Sequence, residues 1–296
     1  MLISKKAFQF IILTFLVNWI VAGLFFLFGG SLQSTAGLVL AVGYMFVPMM
    51  IAIIIYKVVA KEAMRGPLGI SFRLNRWFFV AWLLPPVIAI VTLGVSFLIP
   101  GVEFSPGMEG MYERFAYNMS PEQMEAIREQ QASMPIHPFW LGLMQGLFVG
   151  FTINAIPAFG EELGWRGFLQ RELGVMGFWK SSLVIGFIWG VWHAPLILAG
   201  HNYPEHPVLG LFMMTLWCML MAPLISYVRL KSKSVIAAAV MHGTLNATAG
   251  LAILVVSGGS DLTVGVTGLP GFIVLAVLVA SLYFADKSLT REVSFS

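Results

Sequence analysis

Eight apolar runs, each near the roughly 20 residues an α-helix needs to cross a bilayer, constrain this chain more than any other feature. They cover about residues 8–28, 36–59, 77–99, 139–160 or beyond, 181–200, 208–228, 234–256 and 267–285. A segment in lipid has no water for its peptide groups, so a spanning run of this kind must be helical unless it closes a barrel. The expected fold class is an all-α, polytopic transmembrane helical bundle of about eight spans, one domain over 1–296. Composition agrees, since 58% hydrophobic and 10% charged residues cannot cover a surface that faces water. The first run follows Lys5 and Lys6 in the order of a signal peptide. It is long and is followed by no small-x-small cleavage site, so we read it as an uncleaved first span.

The charges orient the bundle. With the N-terminus in the cytoplasm, every Lys and Arg except Arg114 and Arg128 falls on cytoplasmic segments, Lys61 and Arg291 included. Both termini are therefore expected in the cytoplasm of a plasma or cytoplasmic membrane. This use of basic residues also removes the nucleic-acid reading that a net charge of +3 and a pI near 9.0 would invite. Residues 100–138 form the one long hydrophilic stretch, expected as an extracytoplasmic insertion carrying Glu103, Glu109, Glu113, Glu122, Glu125 and Glu129. Within it Ser120-Pro121-Glu122-Gln123 reads as a helix start, with Ser120 as cap. Cys218 is the only cysteine, which excludes an intramolecular disulfide and a cysteine metal cluster.

Ionisable side chains inside spans each cost about 2.5 to 3.5 kcal/mol at mid-helix and so ask for a reason. Glu161, Glu162, His193 and His242 are the four. If the fourth helix runs unbroken from Phe139 to about Leu173, Glu162 and Arg166 share a face in the order that favours an ion pair. Glu161 is rotated about 100° away and stays unpaired. The same spacing also fits a charged helix end with a surface salt bridge. Trp189 and His193 share a face of the fifth helix, where Pro195 removes the donor for the Val191 carbonyl and should open the helix near the histidine. Alone, His193 fits a hydrogen-bonded packing residue, and His242 with Asn246, four residues apart, fits interhelical glue. Depth joins them: counted from helix ends near Arg171, Ser181 and Ser234, the three lie about 12 to 18 Å in.

GEELGWRG, WGVWHAPL and HGTLN resemble the three motifs, EExxxR, FxxxH and HxxxN, of the CAAX-protease and bacteriocin-processing family of intramembrane proteases. The type II CAAX-prenyl endopeptidases are members. The resemblance covers about 160–247, and Trp189 stands where the family usually has Phe. It implies that Glu161 and His193 activate a water, that His242 and Asn246 donate to the oxyanion, and that Glu162 and Arg166 hold the helix and its charge balance. The implied function is intramembrane hydrolysis of a peptide bond in a membrane-associated or lipidated peptide or protein, at a site opening toward the cytoplasm. Glu161, His193 and His242 equally make a three-ligand set for Zn2+ whose fourth position is water, although no HExxH is present. Buried Glu and His also suit an ion- or proton-coupled transporter, and a non-catalytic membrane scaffold is the third reading. His201 and His206, in GHNYPEHP, invite a second metal site but read better as a pH-dependent loop contact or as residues without a role.

Overall fold

The computed structural model describes residues 4–59, 63–115 and 121–290. The expected cap Ser120 and the basic residues Lys61 and Arg291 lie outside the described residues. The chain is an all-α helical bundle whose long helices are α1 (Lys5–Leu27), α2 (Thr35–Ile54, extended by a wider turn over Ile55–Val59) and α3 (Arg76–Ser96). The polar insertion adds a two-residue strand β1 (Glu103–Phe104) and the helices α4 (Glu109–Phe115) and α5 (Pro121–Ala132). Then come α6 (Pro138–Phe151), α7 (Ala155–Glu162), α8 (Phe178–Trp192), α9 (Ala194–Leu198), α10 (Pro207–Ser232), α11 (Val235–Thr248), α12 (Leu251–Leu254), strand β2 (Val256–Ser257) and α13 (Leu269–Ala285). The strands β1 and β2 pair antiparallel. Large apolar side chains such as Phe8, Leu16, Phe79, Val87, Phe212 and Phe284 face outward. In water such a surface would aggregate, and against acyl chains it is matched. The protein is an integral membrane protein.

Among the described residues five helices are long and apolar enough to cross a membrane, and α6 with α7 and its continuation to Glu172, bent by 49°, make a sixth if taken as one span. The unbroken fourth helix therefore does not form. Pro157 has no N–H, and its ring clashes with a carbonyl four residues back, so α6 stops at Phe151 and α7 restarts at Ala155. The expected 181–200 span is likewise divided, into the 15-residue α8 and the short α9, while α13 has 17 residues.

The bundle has two unlike ends. At the termini end, Ser4 Oγ donates to Glu172 Oε2 at 2.6 Å, the Val235 N–H donates to the Gly69 carbonyl at 2.8 Å, and Lys231 pairs with Asp286 at 2.7 Å. At the hairpin end lie β1 and β2, the Tyr203 hydroxyl on the Thr267 carbonyl at 2.7 Å, and Arg114 on the Gly258 carbonyl. Apart from Arg114, Arg128 and the buried Arg166, every described Lys and Arg sits at the termini end. Outside the core, Glu172 and Asp286 are the only described acids there.

Candidate active site

The stretch GEELG builds the site by letting a neighbour come close. A Cβ on Gly160 would stand 2.7 Å from the Met45 carbonyl oxygen, and one on Gly164 would stand 2.4 Å from Pro48. This small-xxx-small pair lets α2 lie directly on α7. On the other side, a Cβ on Gly243 would meet the Gly150 carbonyl at 2.5 Å and the Ala155 nitrogen at 2.6 Å. So α11 lies backbone to backbone on the joint between α6 and α7. These contacts bring the α2, α7 and α11 side chains to one level, and α8 closes the fourth wall.

Glu161, Glu162, Arg166, His193 and His242 are each at most 8% exposed, which removes the surface-ion-pair reading of Glu162 and Arg166. Arg166 Nη1 donates to Glu162 Oε1 at 3.0 Å, as the four-residue spacing predicts. His242 Nδ1 lies 2.8 Å from that same oxygen. His242 is therefore held by Glu162, not by Glu161. The helix continues from Glu162 in a wider turn over Leu163–Leu169, a departure from α-geometry frequent at functional sites. The Arg166 guanidinium lies 4.6 Å from the centre of the Trp189 ring. A delocalised cation is matched by an aromatic face in a dry site.

Trp189 is the hub. Its indole N–H donates to Glu161 Oε2 at 2.8 Å, and its ring packs against the His242 and His193 rings at centre distances of 5.5 and 5.7 Å. A phenylalanine at this position would keep the wall and lose the donor. As Pro195 predicts, the helix opens at the histidine: α8 ends at Trp192 and α9 begins at Ala194. His193 Nδ1 turns back onto the Trp189 carbonyl at 2.8 Å. That carbonyl accepts, so Nδ1 carries the proton and Nε2 presents a lone pair.

Glu161, His193, His242 and Asn246 line one cavity of about 920 Å³ together with Tyr44, Trp189 and Trp192. Asn246 is exposed and lines it, and its side chain makes no hydrogen bond among the described residues. The four candidate residues thus share a void, in which Glu161 keeps one carboxylate oxygen free and each histidine keeps Nε2 free.

The zinc set fits less well. Among the described residues, one group of three His, Cys or carboxylate side chains has its ligand atoms within 4.8 Å of one another, and it is Glu205, His206 and Asp261. Glu161, His193 and His242 are not such a group, whereas ligands about 2.0 to 2.2 Å from one zinc must crowd more closely. His201 lines the hairpin end of the cavity; His206 does not.

The same cavity lining extends to Gln33, Asn202, Glu205 and Asp261. Its mouth is at the hairpin end, opposite the termini. The described lining thus runs toward the hairpin end and includes no residue of the termini end.

Several supporting residues escape sequence reasoning. Asn18 on α1, 1% exposed, accepts from Trp192 Nε1 at 2.9 Å and donates to the Tyr44 carbonyl at 3.1 Å. The Trp192 carbonyl, released where α8 ends, accepts from the Tyr44 hydroxyl at 2.8 Å and from Trp19 Nε1 at 3.2 Å. A lone Asn in an apolar span is a usable signal. Nothing in the sequence says which neighbour it serves.

Residues 138–248 match the family described as type II CAAX prenyl endopeptidase Rce1-like. CAAX prenyl protease 2 of Methanococcus maripaludis is 30% identical over 130 aligned residues, which cover 37% of this chain and 46% of that protein. The chain thus aligns with somewhat less than half the length of this curated relative. The matched segment begins with α6, ends with α11 and contains all three motifs, so residues 138–248 are similar to the type II CAAX prenyl endopeptidases of the Rce1-like family.

Proposed function

We propose that the protein is an intramembrane endopeptidase that hydrolyses a peptide bond of a membrane-associated or lipidated peptide or protein. The observation that carries this reading is that Glu161, His193, His242 and Asn246 line one buried cavity while the free atom of each ionisable group opens into it. Water between the free Glu161 oxygen and His193 Nε2 loses a proton to the carboxylate as its oxygen attacks the carbonyl carbon. The Asn246 amide donates to the oxyanion that forms. His242 donates from Nε2 as the imidazolium, with Glu162 offsetting its charge across Nδ1. Glu161 then passes its proton to the leaving nitrogen as the C–N bond breaks, giving a carboxylic acid and an amine, between which the acid proton then passes to leave a carboxylate and an ammonium. Glu162, Arg166 and Trp189 position these groups. The ligand atoms of Glu161, His193 and His242 are too spread for one ion, so no step is routed through zinc. The name of the relative adds a prenylated C-terminus to the substrate classes worth assaying.

The test is Glu161→Gln, which keeps volume and the acceptor for Trp189 and removes the base. Cleavage of a supplied substrate should fall about 100- to 10,000-fold, with detergent-solubilised yield and thermal transition unchanged. Cleavage that survives the substitution would make the mechanism wrong, and ion flux into proteoliposomes would then favour the transporter. Chelator treatment should leave cleavage in place; loss restored by zinc would mean that the three side chains rearrange around a metal.

A further inference from the structure

A second pocket, of about 630 Å³, lies at the termini end and shares no lining residue with the cavity around Glu161. It is lined by Arg65, Gly69, Phe72 and Arg73 from the connection into α3 and by Lys233 from the corner between α10 and α11. The connection is a closed turn, in which the Leu68, Gly69 and Ile70 N–H groups donate to the Met64, Gly66 and Arg65 carbonyls at 2.9 Å each. It is tied to the corner by the Val235 N–H on the Gly69 carbonyl at 2.8 Å and by Ser234 Oγ on the Ser71 carbonyl. The pocket is therefore a built recess, not a gap between loose loops.

Its charges are of one sign. Arg65, Arg73 and Lys233 line it, and the Arg229 guanidinium lies against Gly69, where φ is +67° and a Cβ would collide with it. Glycine lets the chain turn and pass this close to the cation. Arg229 Nε is shut off from the surface and has no hydrogen-bond partner among the described residues. The two described acids of this end outside the core are committed elsewhere, Glu172 to Ser4, and Asp286 to Lys231 and Tyr227. Cations gathered without a counter-charge repel one another, and a bound anion relieves that repulsion. An anion here also meets apolar surface, since Phe72 is 74% exposed and Leu74 80%. Cations beside exposed apolar side chains suit a headgroup that carries acyl chains, whereas a free ion would use the cations alone.

We propose that this pocket binds the phosphate of an anionic phospholipid. Arg65, Arg73 and Lys233 take the phosphate, Arg229 adds its positive field from behind Gly69, and Phe72 and Leu74 lie against the acyl chains. The pocket sits on the ties between the Gly69 turn and the first residues of α11. A bound lipid thus steadies the start of the helix that carries His242 and Asn246.

The full chain, purified in neutral detergent, is offered phosphatidylglycerol and phosphatidylcholine with the same acyl chains, and retained lipid is counted by native mass spectrometry. One phosphatidylglycerol should be retained at concentrations where phosphatidylcholine is not, and it should raise the thermal transition. Arg65→Gln with Arg73→Gln should weaken retention about 10- to 30-fold. Lys57→Gln with Lys180→Gln, exposed cations of the same end outside the pocket, should leave it within about twofold. Lys233→Gln alone should weaken retention about fivefold, and it decides the matter if the Arg65 and Arg73 double variant does not fold. Equal retention of the two lipids, or an equal loss in the Lys57 and Lys180 pair, overturns the site. Inorganic phosphate is the last arm. If it raises the thermal transition as much as phosphatidylglycerol does, and the Arg65 and Arg73 variant abolishes the rise, the lipid is overturned as the occupant and a free-phosphate site takes its place.

Discussion

Two clusters that join histidine to carboxylate sit at opposite reaches of one cavity, and they use their atoms differently. In the outer one, Asp261 Oδ1 lies 2.7 Å from His206 Nδ1, and Oδ2 accepts the Glu205 and His206 backbone N–H groups at 2.7 and 3.1 Å. Its carboxylate is spent on tying one loop to another. In the inner one, each working group is held by one atom and left open at the other: Glu161 through Trp189, His193 through the Trp189 carbonyl, His242 through Glu162. Closeness of ligand atoms marks the outer cluster, and unspent atoms facing a cavity mark the inner one. The second property is the one that chemistry needs, because a group satisfied on all sides has nothing left to offer a substrate.

The comparison breaks most readily at Glu162. Glu162→Ala would leave the Arg166 charge buried without a partner and His242 without its anchor, a loss of about 3 to 5 kcal/mol. The thermal transition should fall steeply, and adding Arg166→Met should recover much of the fall, since an apolar replacement of a buried pair is tolerated. No recovery would show that Arg166 is stabilised by something other than Glu162. Next comes Asn246→Ala, expected to lower cleavage about 100- to 1,000-fold with folding intact; a change under threefold would remove Asn246 from the oxyanion site. Trp189→Phe keeps the wall and deletes the donor to Glu161. A hydrogen bond to a charged group contributes about 1.5 to 3 kcal/mol, so activity should fall about 10- to 100-fold and the alkaline or acid limb of the pH profile should move. A profile that keeps its shape would reduce Trp189 to packing. The smallest effect is expected at the outer cluster. Asp261→Asn should change stability by about 1 kcal/mol, because the amide oxygen still accepts the backbone N–H groups and the paired His206 side chain is 44% exposed, and leave cleavage within about twofold. A larger loss of activity would give the outer cluster a part in catalysis.

Much of the inner cluster was legible in the sequence because helical spacing is local. Glu162 with Arg166, Trp189 with His193, and the opening at Pro195 all follow from positions three or four residues apart, and the structure has each of them. Depth along a helix is also local, which is why Glu161, His193 and His242 could be brought to one level before any packing was known. Lateral neighbours are another matter. Apolar spans look alike from every side, so nothing said that His242 would reach Glu162 and not Glu161, or that Asn18 would hold Trp192. Pro157 did carry a readable signal for the broken helix, and the continuous apolar run obscured it. The direction of the mouth depends on which loops cover which helix ends, a property of the whole bundle.

The opening of the helix at His193 has a consequence for how portable this chemistry is. Ending α8 there frees the Trp192 carbonyl, and the donors that satisfy it, Tyr44 and Trp19, come from α2 and α1. Both lie outside the segment shared with the Rce1-like family. A fragment cut to 138–248 would keep every motif and leave that carbonyl bare in an apolar setting, where an unmet polar group costs about 1 to 3 kcal/mol. The motifs are therefore not a self-sufficient module: the first two helices act as a brace, and transplanting the chemistry would mean transplanting the brace with it.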